Sequence, residues 1–274
     1  MNRQFETPEP IYLYVEIGKG KVEVRATATG TTTLDIEGQQ ADEVMVTFED
    51  NRLSVVAPKD GGSWFSGRDR ELNVEVELPT ASNVGVRTGS ADIEIEGEVN
   101  EVRLKTGSGD VTCDTFTGSA RVDTGSGDVE LSEAHADLQV KSGSGDISVG
   151  TSLGNVNIST GSGDVEVGTT NGRTVVKTGS GDLNIVTANA DIALSTGSGD
   201  LSVGTVRRGK VSLKGASSDV QIGIPAGTPV WADINTVTGS IRSELESVGA
   251  PQEGQDHVEL QARTVSGDIR LIEV

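Results

Sequence analysis

Aromatic residues and cysteine are scarce in this 274-residue chain. Phe, Trp and Tyr together make up 3% of it and all hydrophobic residues 34%, whereas glycine occupies 36 positions. This composition cannot fill a thick globular core, so we expect a thin one, in which each layer buries a few Val, Ile and Leu side chains. The single cysteine, Cys113, cannot form an internal disulfide and suits a reducing compartment.

The chain also lacks any long apolar segment. No run approaches the roughly 18 consecutive apolar residues that a membrane-spanning helix requires. The first residues, MNRQFETPEPIYLYVEIGKG, contain neither an uninterrupted apolar stretch nor a small-residue cleavage site, so we expect no signal peptide. A cytoplasmic location follows as an expectation, with association at a cell surface only through a partner.

Basic residues are few, since 22 Lys and Arg stand against 42 Asp and Glu and the formal net charge is −20. A surface of this sign repels phosphate backbones and anionic membranes, so nucleic acid is not an expected partner. The excess of carboxylates favours solubility and opposes the edge-to-edge association of strands.

The chain contains a strict internal repeat. The tetrapeptide GSGD recurs every 18 residues, and its aspartates are Asp110, Asp128, Asp146, Asp164, Asp182 and Asp200. TGSAD places Asp92 one step earlier, and KGASSD places Asp219 after a step of 19 residues. IGKGKVEV imitates TGSGDVEV with Lys21 at the aspartate position, which predicts a degenerate first coil. Such spacing is typical of repeat folds that grow in one dimension.

Four columns of mainly apolar residues keep the same phase within the repeat. In one coil they are Val111 and Cys113 after the aspartate and Leu104 and Val102 before it, with polar residues between them. This alternation predicts two short, half-buried strands per coil, joined at one corner by GSGD. Because identical side chains recur at identical phase, parallel stacking is favoured over an antiparallel meander. The predicted fold is all-β, a single-stranded parallel β-solenoid with 18-residue coils and a cap at both ends.

Both ends of the chain depart from the repeat. Residues 1–80 predict an N-terminal β cap with an aromatic loop and a hairpin turn at Asp50-Asn51. Residues 81–224 predict the regular solenoid, and residues 225–274 predict a C-terminal β cap. The three parts are expected to form one continuous domain.

The TGSGDVxV coils, the entry segment FETPEPIYLYVEIGKGKVEV and the exit segment ARTVSGDIRL together resemble a family of bacterial putative adhesins of unknown function. These are β-strand-repeat proteins (DUF4097-like) related to the toast-rack domains of surface-stress proteins. The resemblance extends over essentially the whole chain. It implies a right-handed solenoid with an adhesin-like or envelope-stress-related interaction role, and it brings no catalytic residues.

The aspartate column has two possible explanations. Carboxylates stacked about 5 Å apart repel one another, and hydrogen bonds from turn N–H groups of the same or the next coil would offset this repulsion. Alternatively the column is a Ca²⁺ ladder, since Ca²⁺ prefers oxygen ligands, formed by Asp110, Asp128, Asp146, Asp164, Asp182 and Asp200. Each turn offers one carboxylate, which favours the first explanation. The Thr or Ser four residues before each aspartate predicts a hydroxyl ladder down the same corner.

Residues for nucleophilic catalysis are not grouped in the sequence. The two histidines, His135 and His257, lie more than a hundred positions apart, and Cys113 belongs to an inward column. No spacing of His and Cys matches a metal site, and GSGD is followed by no lysine that would make it a phosphate loop. We therefore expect neither enzyme activity nor a cofactor, apart from the Ca²⁺ alternative.

The aromatic residues suggest where a partner could bind. Trp64 and Phe65, between glycines in GGSWFSGRDR, are either an exposed anchor for a partner or a plug over one end of the solenoid, whereas Trp231 is expected to cap the C-terminal end. Three functions remain open: a binding or scaffold module for a protein or glycan partner, present as a monomer or small homo-oligomer; a filament-forming structural protein; and a Ca²⁺-stabilised repeat module.

Overall fold

In the computed structural model, described at residues 1–58, 71–246 and 248–274, the chain consists almost entirely of β-strands. A 3₁₀ turn at Ala41–Glu43 is the one helical element among these residues. The chain divides into two compact units, Met1–Ala136 and Asp137–Val274. In the described part of the chain, no helix is long and apolar enough to cross a membrane. The expected three-part division within one continuous domain stays a prediction.

The first unit contains the parallel coils that the repeat predicts. Its described strands are β1 (Asn2–Glu6), β2 (Tyr12–Thr27), β3 (Thr31–Gly38), β4 (Met45–Glu49), β5 (Arg52–Val56), β6 (Glu71–Pro79), β7 (Asn83–Val99), β8 (Val102–Thr106), β9 (Val111–Phe116), β10 (Ala120–Ser126) and β11 (Val129–Ala134). Strand β8 lies parallel between β7 and β10, and β9 lies parallel between β7 and β11. Paired residues are 18 positions apart, as Val102 and Ala120 are, except beyond an irregularity in β7, where Val99 pairs with Phe116. The predicted parallel solenoid is confirmed.

Strand β2 spans a whole coil. It pairs parallel with β7 on one side, in the register that places Lys21 opposite Asp92, and with β5 and β6 on the other side. The predicted correspondence of Lys21 with the aspartate position is therefore confirmed. The coil is nevertheless second in space, because β5 and β6 form a further coil beyond it.

Antiparallel strands close the outer side of the coil made by β5 and β6. β4 pairs with β5 across the predicted turn, where Asp50 and Asn51 have φ angles of 51° and 57°. β3 pairs with β6, and β1 pairs with β3. The rings of Phe5 and Phe48, on β1 and β4, lie 5.0 Å apart. Both outermost strands are five residues long and carry charged side chains, which discourages further strand pairing.

The second unit continues the same kind of coil. Its described strands are β12 (Leu138–Ser144), β13 (Ile147–Ser152), β14 (Val156–Ser162), β15 (Val165–Thr170), β16 (Thr174–Ser180), β17 (Leu183–Ala188), β18 (Ile192–Ser198), β19 (Leu201–Val206), β20 (Gly209–Ser217), β21 (Val220–Ile224), β22 (Val230–Thr238), β23 (Ile241–Ser243), β24 (Val258–Ser266) and β25 (Ile269–Glu273). From β12 to β19 the register is again 18 residues. The extra residue before Asp219 lies between Val206 and Val211, because Val206 pairs with Ala188, 18 positions earlier, and Val211 pairs with Ile192, 19 positions earlier.

The C-terminal strands do not form the outermost coil of the second unit. β24 and β25 lie between the coil of β20 and β21 and the coil of β22 and β23, parallel to both. The chain therefore runs outward to β22 and β23 before its last strands insert behind them. Leu245 and Val248, from the intervening loop, border a cavity of about 340 Å³ over the side chains of the outermost coil.

Stacked columns of buried side chains form the core of each unit. The four predicted columns are inward, and Val102, Leu104, Val111 and Cys113 are all buried. Two further columns are also buried. One contains the Thr four residues before the aspartate, which was predicted as a hydroxyl ladder but not as part of the core. The other lies at the end of the second strand of each coil, six residues after the aspartate, and its members are Phe116, Ala134, Ser152, Thr170, Ala188 and Val206. The second strand of each coil therefore extends to this sixth residue after the aspartate.

The GSGD corner adopts two conformations. In the second unit Gly163, Gly181 and Gly199 have φ angles of +123° to +136°, and the Thr160 hydroxyl donates to the Ser162 carbonyl over 3.0 Å. In the first unit the Thr106 hydroxyl instead accepts a hydrogen bond from the Gly109 N–H over 3.0 Å. The Ser–Gly peptide is thus turned over, which is possible because a hydroxyl can donate or accept and glycine tolerates both backbone states.

Candidate functional site

The aspartate column is a hydrogen-bonded ladder in both units. In the first, the N–H of Asp110 donates to Oδ1 of Asp92 over 3.0 Å, and the N–H of Asp128 donates to Asp110 over 2.9 Å. In the second, the same bond has lengths of 2.7 to 3.0 Å and links Asp164 to Asp146, Asp182 to Asp164, Asp200 to Asp182, and Asp219 to Asp200. These bonds run from each coil to the one before it, as the turn explanation predicts.

The ladder continues through the C-terminal coils in their spatial order, in which the coil of Asp268 lies between the coils of Asp219 and Ser240. The N–H of Asp268 donates to Asp219 over 2.8 Å, and the N–H of Ser240 donates to Asp268 over 2.7 Å. The Ser240 N–H favours the charged carboxylate and holds the pKa of Asp268 below its usual value.

The threonines of this corner form no hydroxyl-to-hydroxyl ladder among the described residues. Most of their hydroxyls bond backbone groups of their own turn instead, as Thr178 does with the Ser180 carbonyl at 3.0 Å. The buried Thr124 hydroxyl has no hydrogen-bond partner among the described residues. The expected ladder is therefore wrong, because the turn provides a nearer acceptor than the next coil does. Within the described ranges, no three His, Cys, Asp or Glu side chains are gathered closely enough to hold a metal ion. Ca²⁺ binding by the aspartates stays a prediction.

Cys113 lies in the core, as its inward column indicates. Burial, and secondarily the carboxylate of Asp114, raises the pKa of the Cys113 thiol to about 12. His135 is exposed in the first unit and contacts Glu133 at 3.1 Å, whereas His257 belongs to the second unit.

We expect Cys113 to be chemically inert in the folded protein, because the thiolate is the reactive form and burial disfavours it. At about pH 8, a chromogenic disulfide reagent should modify the denatured chain and leave the native protein unmodified over the same period. Fast modification of the native protein, at the rate of a free thiol, would show that Cys113 is accessible.

Of the aromatic residues singled out in the sequence, the structure describes Trp231 but not Trp64 and Phe65. Trp64 and Phe65 lie outside the described residues, so their role as anchor or plug stays a prediction. Trp231 lies on the outermost coil of the second unit, but its side chain is 60% exposed on the outer face. Trp231 therefore belongs to the C-terminal coil that was expected to form the cap, but it does not cover the core, because strand alternation turns this position outward.

A second, shorter ladder runs down the corner opposite GSGD in the second unit, at the residue immediately before the first inward-facing residue of each coil. The N–H of Asn155 donates to Asp137 over 3.0 Å, and the N–H of Arg173 donates to the Asn155 side chain over 3.2 Å. The N–H of Lys210 donates to Asp191 over 2.8 Å. Asp and Asn serve here because their short side chains accept hydrogen bonds, which Arg and Lys side chains cannot do.

Arg173 and Lys210 therefore interrupt the second ladder. Within the described residues, neither side chain forms an ion pair, although the chain carries 42 acidic residues. Locally unfavourable residues of this kind are expected where function requires them. Neither position was predicted. Aligning the coils of the second unit on this residue shows Asp137, Asn155 and Asp191 interspersed with Arg173 and Lys210.

These two cations line an open cleft of about 680 Å³, which we call the corner cleft. One wall is the corner of successive coils. The other is the loop at 251–257, and the Arg208 guanidinium joins them, with Nε donating to the Asn189 carbonyl over 3.1 Å and Nη1 lying 3.7 Å from Asp256. The Asn189 amide donates to the Asn171 amide oxygen over 2.9 Å, so one side-chain amide lies above the other along the wall.

Solved structures with some similarity to this chain carry names of binding proteins. A putative adhesin from Bacteroides fragilis is 14% identical with a TM-score of 0.37, and the alignment covers 99% of this chain and 96% of that one. A putative lipid binding protein and a putative adhesin from Parabacteroides distasonis are 13% and 11% identical, with TM-scores of 0.36 and 0.35 and the same coverages.

Family membership rests on a separate comparison. No curated protein matches the chain significantly. The sequence profile of the family described as Toastrack DUF4097 matches residues 11–190 and 173–273, and so confirms the resemblance inferred from the GSGD coils. The chain belongs to the Toastrack DUF4097 family.

Proposed function

We propose that this chain is a non-catalytic binding protein that holds an acidic saccharide in the corner cleft. The observation that carries the proposal is that Arg173 and Lys210 replace the hydrogen-bond acceptors of the second ladder. Both cations line the cleft without an ion pair among the described residues. The rigid stack of coils fixes their backbones, so little ordering is needed before a ligand binds.

The size of the corner cleft favours a small ligand. A volume of about 680 Å³ lies within the range of small-molecule sites, whereas a stable protein partner usually covers about 800 Å² on each side. A short segment of a glycan chain fits such an open cleft. A protein would use it only by inserting a loop.

The groups that line the cleft favour a ligand with negative charge and many hydrogen-bonding oxygens. The lining holds three carboxylates (Asp191, Asp256 and Glu259) and three cations, of which only Arg208 lies within 4 Å of a carboxylate of the described residues. Arg173 and Lys210 can therefore pair with an anionic group of a ligand. The amides of Asn171 and Asn189 and the side chain of Gln252 are suited to hydroxyl groups. An oligosaccharide that carries carboxylates satisfies both requirements.

Calorimetric titration with a galacturonic acid trimer and with the neutral galactose trimer tests the proposal. The acidic trimer should bind more tightly than the neutral one and should lose affinity as salt is added. Replacing Arg173 and Lys210 together by alanine should weaken binding of the acidic trimer at least about tenfold, because each charge-assisted hydrogen bond contributes about 1.5–3 kcal/mol.

Arg103→Ala provides the control, since Arg103 is an exposed arginine of the first unit, far along the chain from the cleft residues. It should bind the acidic trimer as the unaltered protein does. Equal affinity of the double variant, or no binding by the unaltered protein, would contradict the proposal.

A further inference from the structure

The outer edge of β22 has no partner strand among the described residues. The strand runs for nine residues and pairs only with β24, on its inner side. The carbonyl of Pro229 faces β24 and accepts a hydrogen bond from the Val258 N–H over 3.0 Å. Because successive backbone groups of a strand point to opposite sides, four residues direct N–H and C=O groups to the open side: Val230, Ala232, Ile234 and Thr236.

This edge lacks the features that protect the outer strands of the first unit. Its single charged residue, Asp233, is paired with Arg263 at 3.0 Å. Trp231 and Val237 are 60% and 73% exposed, and Ile241 of the same coil is also exposed. β1 and β4, in contrast, are five residues long and carry charges at or near their ends. A long, apolar, unpaired edge is a template for another strand.

We propose that two copies of this chain pair through β22, antiparallel and about a two-fold axis at Ile234. In this register Trp231 of one copy lies opposite Val237 of the second copy, and Asp233 lies opposite Asn235. Aromatic residues opposite β-branched ones stabilise antiparallel strands, and an amide opposite a carboxylate avoids repulsion between like charges. The four residues with open backbone groups are Val230, Ala232, Ile234 and Thr236, and three of them meet one another across the axis.

Neighbouring registers match the side chains less well. Centring the axis on Asp233 places two carboxylates directly opposite each other, which is unfavourable. Centring it on Asn235 places Trp231 opposite Gly239, so the largest exposed side chain loses its contact. The sequence of β22 is therefore self-complementary about Ile234.

A closed pair fits the chain better than an open-ended stack. Open-ended growth would require a second unprotected edge in the chain, and the outer strands of the first unit, β1 and β4, are short and charged. A two-fold contact uses the same edge of both copies, so association through β22 closes after two chains.

Sedimentation equilibrium with two variants of Asn235 tests the contact and its register. The unaltered protein should show a concentration-dependent approach to twice its monomer mass of 28.4 kDa. Asn235→Asp places a carboxylate opposite Asp233 twice per pair and should weaken the dimer about tenfold, whereas Asn235→Lys should tighten it by a similar factor. The Asn235 side chain is exposed, so circular dichroism should report an unchanged fold for both.

Three results would overturn this proposal. The first is a monomeric mass for the unaltered protein at every concentration, and the second is a shift of both variants in the same direction. The third is a monomeric chain that pairs through β22 with a different polypeptide. Variants of Arg173 and Lys210 should leave the mass unchanged, so failure of the saccharide proposal is separately detectable.

Discussion

Replacing Gly181 by alanine should lower the free energy of unfolding by roughly 2 to 6 kcal/mol. Gly181 has a φ of +136°, a backbone state that costs other residues about 1–3 kcal/mol. A Cβ at this position would lie 2.2 Å from the carbonyl oxygen of Gly163 in the preceding coil, so the backbones of two coils must separate. Forced displacement in a packed region costs about 1–3 kcal/mol more.

The measurement is chemical denaturation followed by far-ultraviolet circular dichroism. Gly30→Ala is the matched control, because a Cβ there meets nothing within 4 Å and its φ is not in the left-handed region. It should change stability by less than about 1 kcal/mol. Equal denaturation midpoints for Gly181→Ala and the unaltered protein would contradict this prediction, because they would show that the corner accepts a Cβ without separating the two coils.

Truncating Phe116 to alanine should destabilise the first unit by about 3–5 kcal/mol. Phe116 is 0% exposed and has the largest fully buried side chain in the described part of the chain. Its paired neighbours in the adjacent coils are Val99 and Ala134, so small and branched side chains flank the ring and cannot fill the space that it leaves.

The exposed Leu153 provides a comparison for Phe116, since it is 51% exposed and its replacement by alanine should cost little. Thermal denaturation of the two variants measures the difference. A melting temperature for Phe116→Ala equal to that of Leu153→Ala would show that this column does not support the coil.

Sequence reasoning anticipated the coil because coil geometry depends on nearby residues. The 18-residue period places each side chain next to the equivalent side chain of the adjacent coil. The alternation of apolar and polar residues around Val111 and Cys113 indicates which face of the strand is buried. The hairpin at Asp50-Asn51 is equally local, since these residue types tolerate positive φ. The Phe116 column escaped notice because its members are Phe, Ala, Ser, Thr, Ala and Val, which form no apolar pattern.

The candidate sites were harder to predict from the sequence. The corner cleft joins Arg173 and Lys210 to a loop about forty or more residues further along the chain, and no local pattern signals that approach. Trp231 was correctly placed near the C-terminal end, yet whether it faced the core depended on the strand in which it lies.

The sequence by itself determined the coil, its register and its acidic corner, because these follow from short-range alternation repeated at a constant interval. Tertiary structure alone decided the order of coils at both ends. Every coil carries the same register, so the pattern cannot state that β2 lies between β7 and the coil of β5 and β6, or that β24 lies behind β22. Because β24 and β25 insert behind β22 and β23, β22 is left with an open edge in the described part of the chain. The loop that connects β23 to the inserted β24 forms one wall of the corner cleft.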